Sequence, residues 1–168
     1  MALPKRKSIR LKTYDYSQNG AYFITICTKD KRNILWETNV GATCGRPNET
    51  QHLSDIRKII DSEINKIKSY YDNVSVNKYV IMPNHIHMII VIDNQENGTM
   101  WASSPTQSIP QMIKSLKTFI SKEIDFSIFQ RSYYDHIIRN EKDYERICEY
   151  IDTNPMKWRE DEYYAENS

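Results

Sequence analysis

No apolar run in this chain is long enough to span a bilayer, and its opening has no hydrophobic segment of the signal-peptide kind, so neither membrane insertion nor export is expected. Cysteine is scarce: Cys27, Cys44 and Cys148 lie far apart and form no C-x-x-C pair. Such spacing argues against a disulfide framework and a zinc knuckle, and it fits a reducing cytoplasm. Charge of neither sign is in surplus, with 23 Lys and Arg against 22 Asp and Glu, so net charge by itself points to no polyanionic partner. There is no internal repeat and no low-complexity tract. At 168 residues the chain is expected to form a single domain, 1–168, with a real core.

What charge there is, is unevenly placed. Residues 1–12 carry Lys5, Arg6, Lys7, Arg10 and Lys12 and no acid, while residues 160–168 carry Glu160, Asp161, Glu162 and Glu166. The first segment is either a phosphate-binding arm or a solvated tail.

The chain is organised around Tyr79-Val-Ile-Met-Pro-Asn-His-Ile-His-Met-Ile-Ile-Val91, two apolar strand arms meeting at Pro83-Asn84. Strand side chains alternate, so His85 and His87 project from one face and Ile86 and Met88 from the other. Two imidazoles on one face can share a divalent metal and leave positions for another ligand and a substrate oxygen. Alternatively they are two polar residues at the solvated start of a strand.

In chain order, Ala21–Thr28 alternates as a first strand, and the polar residues 37–51, with two of the four glycines, predict a surface loop. A helix follows from about Ser54 to about Tyr70, with Ile56, Ile59, Ile60, Ile64, Ile67 and Tyr71 at helical spacing. Val74–Met82 and His85–Asp93 are the second and third strands, an antiparallel hairpin. Residues 94–107 form a second loop. A second helix runs from Ser108 to about Ile124, with Pro110 in its first turn and Ile109, Met112, Ile113, Leu116, Ile120 and Ile124 inward. Lys114 and Lys117 lie off that stripe, either solvated or in contact with phosphate. Tyr133–Arg139 is a fourth strand, and a last helix covers Glu141–Thr153 on a stripe of Tyr144, Ile147, Cys148 and Ile151. The order of the first six elements predicts an α+β, ferredoxin-like βαββαβ antiparallel sheet with both crossover helices on one face and an additional C-terminal helix.

Tyr150 and Asn154 on that last helix are four residues apart and share a face if helical geometry persists to Asn154, which the following Pro155 disfavours. The phenol would then reach toward the histidines, and the amide oxygen toward the same metal. The competing arrangement has Tyr150 packing its ring on the sheet and Asn154 capping the helix. His136 has the wrong spacing for such a metal set and reads as a strand residue.

Pro83-Asn-His-Ile-His87, Tyr133-Tyr-Asp-His-Ile-Ile-Arg-Asn140 and Tyr150-Ile-Asp-Thr-Asn-Pro155, with Ser8–Tyr16 and Tyr22–Thr28, together resemble the REP-associated tyrosine transposases. These are single-strand transposases of the His-hydrophobic-His (HUH) nuclease superfamily, and the likeness spans nearly the whole chain outside the two loops. The resemblance implies His85 and His87 as the metal-binding pair, Tyr150 as the catalytic tyrosine and Asn154 as the third ligand. It implies Mg²⁺ or Mn²⁺ as cofactor, although zinc also binds such a nitrogen and oxygen set. The implied activity is cleavage and rejoining of single-stranded DNA through a 5′-phosphotyrosine, with palindromic hairpins as substrate. A monomer or homodimer in the bacterial cytoplasm, associated with the nucleoid, is the expected state.

Lys5, Arg6, Lys7, Arg10 and Lys12 are then candidate hairpin contacts, as are Lys114 and Lys117, and Trp101 is a candidate stacking residue. Two other classes share the layout: a non-catalytic ferredoxin-like nucleic-acid-binding module, and a metal-dependent nuclease that uses water. No stretch carries the aromatic and glycine-rich strand motif of the former. Removing residues 1–7 is expected to lower hairpin affinity and flatten its dependence on salt, measured by titration at several salt concentrations. An unchanged slope returns the arm to a solvated tail.

Overall fold

The computed structural model describes residues 14–36, 47–94 and 108–165, with side chains in the second stretch from residue 55 onward. The elements are β1 (Gly20–Cys27), α1 (Pro47–Asn65), the short α2 (Ile67–Tyr70), β2 (Val74–Ile81), β3 (His85–Ile92), α3 (Ile109–Glu123), β4 (Tyr134–Ile138) and α4 (Glu141–Thr153), with 3₁₀ turns at Lys29–Lys31 and Trp158–Glu160. The four strands form one antiparallel sheet in the order β2-β3-β1-β4. This is the expected ferredoxin-like arrangement, with β1 and β3 as its central pair. Among the described residues, no helix is long and apolar enough to cross a membrane.

The alternation of β1 and β3 divides the molecule into layers. Tyr22, Ile24 and Ile26 on β1 and Ile86, Met88, Ile90 and Ile92 on β3 are buried under α1 and α3, which contribute Ile56, Ile60 and Ile64, and Ile109, Met112, Ile113, Leu116 and Ile120. On the opposite face Phe23, Ile89 and Ile138 pack on Ile147 and Ile151 of α4. A central strand covered on both faces reads as a nearly continuous apolar run, and β3 is buried at every residue but Val91. The histidine pair stands on the α4 side.

Two boundaries differ from expectation. α1 begins at Pro47 rather than near Ser54, so residues 47–51 are helical and not loop, while 37–46 and 95–107 lie outside the described residues. Proline suits a first helical position, where its missing N–H is not needed. Apolar periodicity detects only the later turns, because the stripe begins at Ile56. The same helix also ends early: it breaks at Lys66 before the single turn of α2. There the Asn65 side-chain amide donates to the Asp61 carbonyl (2.8 Å) and to the Tyr79 hydroxyl (3.0 Å), offering the backbone an alternative to its own ladder.

α4 is tied to the sheet by apolar contact and by Lys78–Asp152 (2.6 Å), an ion pair whose carboxylate is largely exposed. The magnitudes rank the two. Ile151→Ala, at a position 2% exposed, should cost about 2–5 kcal/mol. Asp152→Asn should cost at most about 1 kcal/mol. Urea unfolding of both variants checks the order, and a larger loss for Asp152→Asn would reverse it.

Candidate active site

The turn between β2 and β3 is held from below. Met82 N–H donates to the His85 carbonyl (2.8 Å), Thr28 N–H to the Asn84 carbonyl (2.8 Å) and Leu35 N–H to the Pro83 carbonyl (2.9 Å). The Asn84 side chain is fully engaged. Its Nδ2 donates to the carbonyls of Lys31 (3.1 Å) and Tyr163 (2.9 Å), and its Oδ1 lies 2.8 Å from His85 Nδ1. An amide oxygen has no hydrogen to give, so Nδ1 of His85 carries the proton and Nε2 keeps its lone pair. That Nε2 is buried and has no hydrogen-bond partner among the described residues.

His87 is set from the neighbouring strand. Thr25 pairs with it in register across β1 and β3, and Thr25 Oγ1 lies 2.8 Å from His87 Nδ1. The two imidazole rings are 4.3 Å apart, and Phe23 stacks on His87 at 5.1 Å. Neither histidine is solvated: His85 is 0% and His87 1% exposed.

α4 brings the phenol. Asn140 caps its start, accepting from Asp143 N–H at 2.9 Å, and Ile147 and Ile151 fix its inner face. Asn154 keeps helical angles (φ −55°, ψ −43°) despite Pro155, with its N–H on the Tyr150 carbonyl at 3.0 Å. Tyr150 and Asn154 therefore do share a face. The Tyr150 hydroxyl lies 3.2 Å from His87 Nε2, and Asn154 is buried with its Oδ1 unpartnered among the described residues.

One residue was not expected here. Asp161, from the acid-bearing segment 160–168, accepts from Tyr150 Oη at 3.1 Å and from Asn154 Nδ2 at 2.6 Å. Its carboxylate and the ring nitrogens of His85 and His87 all lie within 4.8 Å of one another. The chain reverses through Trp158–Glu160 to bring it back, and its only signal in the sequence is an acid seven residues after Asn154. Asn84 likewise reads from the sequence as a turn residue, although it lies within the Pro-Asn-His-Ile-His motif.

Burial sets the electrostatics. It pushes the His85 imidazolium down to about 4, and it holds His87 well below the ordinary histidine value, with the neighbouring His85 adding to the effect. Both imidazoles are neutral at neutral pH, the form that ligates a metal. Burial, followed by the Asp161 carboxylate, raises the Tyr150 phenol above its usual range, so it rests protonated. Two unpartnered, buried ligand atoms, His85 Nε2 and Asn154 Oδ1, beside the His87 imidazole nitrogen and the Asp161 carboxylate, fit a divalent cation.

The remaining predicted residues lie elsewhere. Lys114 is exposed on α3, across the sheet from the histidines. Lys117, on the same helix, donates to the carbonyls of Gln130 and Ser132, each at 2.9 Å, and sits over the Tyr133 ring. His136 pairs with Asp143 (2.7 Å), which also holds Arg146 (2.6 Å). Lys5, Arg6, Lys7, Arg10, Lys12 and Trp101 lie outside the described residues.

No protein-family profile matches the chain. It is 34% identical to an uncharacterised protein of Haemophilus influenzae over a 178-residue alignment that covers 96% of this chain and 94% of the relative. A second protein of that organism, named "Putative REP-associated tyrosine transposase", is 26% identical over 148 residues, 85% of this chain and 74% of its own length. A solved structure of a REP-associated tyrosine transposase bound to a REP hairpin shares the fold, with a TM-score of 0.60 and 21% identity over 89% of this chain and 73% of that one.

Burial of His85 has a sign that stability can report. Its folded pKa lies below the unfolded value of ~6.5, so between pH 6.5 and 4 the unfolded chain binds more protons and stability falls as pH falls. From pH 8 to pH 5 the metal-free protein should lose on the order of 2 kcal/mol through this group alone. Urea unfolding at the two pH values tests it, with His85→Ala expected to lose less of its stability over that interval.

Proposed function

We propose that the chain is a REP-associated tyrosine transposase, as its 26% identical relative is named, and that it cuts and rejoins hairpin-forming single-stranded DNA, with Tyr150 as nucleophile at a divalent metal site of His85, His87 and Asn154. The observation that carries the proposal is the Tyr150 hydroxyl 3.2 Å from His87 Nε2, beside two buried ligand atoms without partners.

Each side chain has a part. His85 Nε2, His87 Nε2 and Asn154 Oδ1 would hold the cation, with Asn84 and Thr25 fixing the two imidazoles through their other nitrogens. When bound, Mg²⁺ or Mn²⁺ supplies Lewis-acid stabilisation of charge on a phosphodiester. Tyr150 Oη forms the new bond to phosphorus and the bond to the 3′ oxygen breaks. The phenol proton is lost and the departing 3′ oxygen gains one, leaving a 5′-phosphotyrosine and a free 3′-hydroxyl. Because one phosphate ester replaces another, the reverse attack by a different 3′-hydroxyl joins strands without ATP. A phenol held above its ordinary range is a poor nucleophile until the local charge changes, so cleavage depends on the cation being present.

The substrate class is proposed from that family and is supported by the hairpin bound in the solved structure that shares the fold. Lys5, Arg6, Lys7, Arg10 and Lys12 are proposed to hold its phosphates, with Lys114 as an outlying contact. Lys117 would reach DNA only by giving up its two carbonyl partners.

Incubated with labelled hairpins and Mn²⁺, the wild-type protein should form an adduct that survives denaturing electrophoresis. Tyr150→Phe, which removes one oxygen and keeps the ring, should form none. His85→Ala and His87→Ala should lose cleavage by at least about a hundredfold while retaining hairpin binding. Undiminished cutting by Tyr150→Phe with release of free 5′-phosphates would instead identify a nuclease that uses water, and binding without any cutting a non-catalytic module.

A further inference from the structure

We propose that Asp161 is itself a ligand of the divalent cation in the DNA-free protein, an anionic oxygen delivered by the C-terminal segment and exchanged for a phosphate oxygen when DNA enters. This rests on His85 and His87 being the metal-binding pair.

The geometry is specific. Asp161 Oδ1 accepts from Tyr163 N–H at 2.7 Å, which turns Oδ2 toward the site. Oδ2 there meets Tyr150 Oη and Asn154 Nδ2, and the carboxylate lies within 4.8 Å of both imidazoles. The segment that carries it is strapped over the histidines. Tyr163 lies 4.7 Å from the His85 ring and Trp158 5.9 Å. Asn84 Nδ2 donates to the Tyr163 carbonyl, Asn33 Nδ2 to the Ala165 carbonyl (2.8 Å), and the Lys31 ammonium rests over the Tyr163 ring at 5.4 Å.

Charge supplies the second argument. Two neutral imidazoles and an amide bring no negative charge, and an uncompensated dication at buried residues is costly. Mg²⁺ and Mn²⁺ also favour oxygen donors over imidazole. Among the described residues, Asp161 is the carboxylate that groups with both imidazoles and meets both needs. A phosphodiester brings the same charge and the same donor atom, and it must approach through the space that the strap covers, since both histidines are buried. Asp161 and DNA therefore compete for one position.

Mn²⁺ titration of the full chain without DNA, followed by calorimetry, tests the proposal. Asp161→Asn and Asp161→Ala should each bind Mn²⁺ at least about tenfold more weakly than wild type, with metal-free unfolding midpoints showing that the variants are folded. With hairpin DNA saturating, the deficit should shrink to less than about threefold. Wild-type Mn²⁺ affinity in both Asp161 variants, alongside lost affinity in His87→Ala, overturns the ligand role and leaves the histidine site standing. Wild-type affinity in His87→Ala overturns the site and this proposal together. A deficit of equal size with DNA bound overturns the exchange.

Discussion

The bond between Thr25 and His87, across the two central strands, is the interaction on which the site depends. It is possible because β1 and β3 pair in a register that sets Thr25 opposite His87 and Cys27 opposite His85. With Nδ1 of His87 engaged at 2.8 Å, its Nε2 is left facing the Tyr150 hydroxyl. The ring is thus oriented by backbone pairing, which is among the least deformable parts of a protein. Asn84 does the same for His85 from the turn, so two unrelated partners give the neighbouring imidazoles a common outward nitrogen.

α4 completes the arrangement by a different kind of force. Its placement rests on Ile147 and Ile151 against Phe23, Ile89 and Ile138, a small apolar cluster distinct from the main core. Contact of this kind sets distance well and rotation less well. Rotation is defined by polar anchors at the helix flanks: Lys78 with Asp152, and Asn77 Nδ2 with the Tyr144 hydroxyl at 3.2 Å. Asn77 reaches outward because the β2–β3 register shifts between Val76 and Lys78, which turns one residue of an edge strand toward the helix. Tyr150 remains partly exposed while Asn154 is buried, so the helix offers one group to solvent and one to the interior.

The fold was legible because its signals are local. β1 carries a period of two and α4 a helical one, β3 reads as a strand from its short apolar run beside the Pro83-Asn84 turn, and α4 spans Glu141–Thr153 as expected, with Asn140 capping its start. The same local logic misplaced α1, whose early turns lack an apolar stripe, and it joined α1 to α2 because the isoleucine spacing runs on past Lys66. At the site, spacing pairs His85 with His87 and Tyr150 with Asn154, while the resemblance is what favours a site role for Tyr150 and Asn154 over a packed ring and a helix cap. Asp161 could not be picked out. Its approach depends on a chain reversal after Lys157 and on Asn33, Asn84 and Lys31 gripping the returning segment, contacts separated by 79 to 132 residues. A helix boundary is written in a few neighbouring residues, whereas a strap is written in its distant attachments.

The burial of β3 on both faces has a consequence for folding as well as for the site. Its sequence, His-Ile-His-Met-Ile-Ile-Val-Ile, is apolar enough that most of its length would tolerate pairing one residue out of step. Such a slip would turn both imidazoles into the layer packed by Ile24, Ile26 and α3, where neither Thr25 nor Asn84 could reach them. Two polar rings without partners in that layer would make the slipped sheet unfavourable by several kcal/mol. The histidines thereby distinguish one alignment of an otherwise permissive strand from its neighbours, and any change that makes them apolar removes a guard against mispairing together with two candidate ligands.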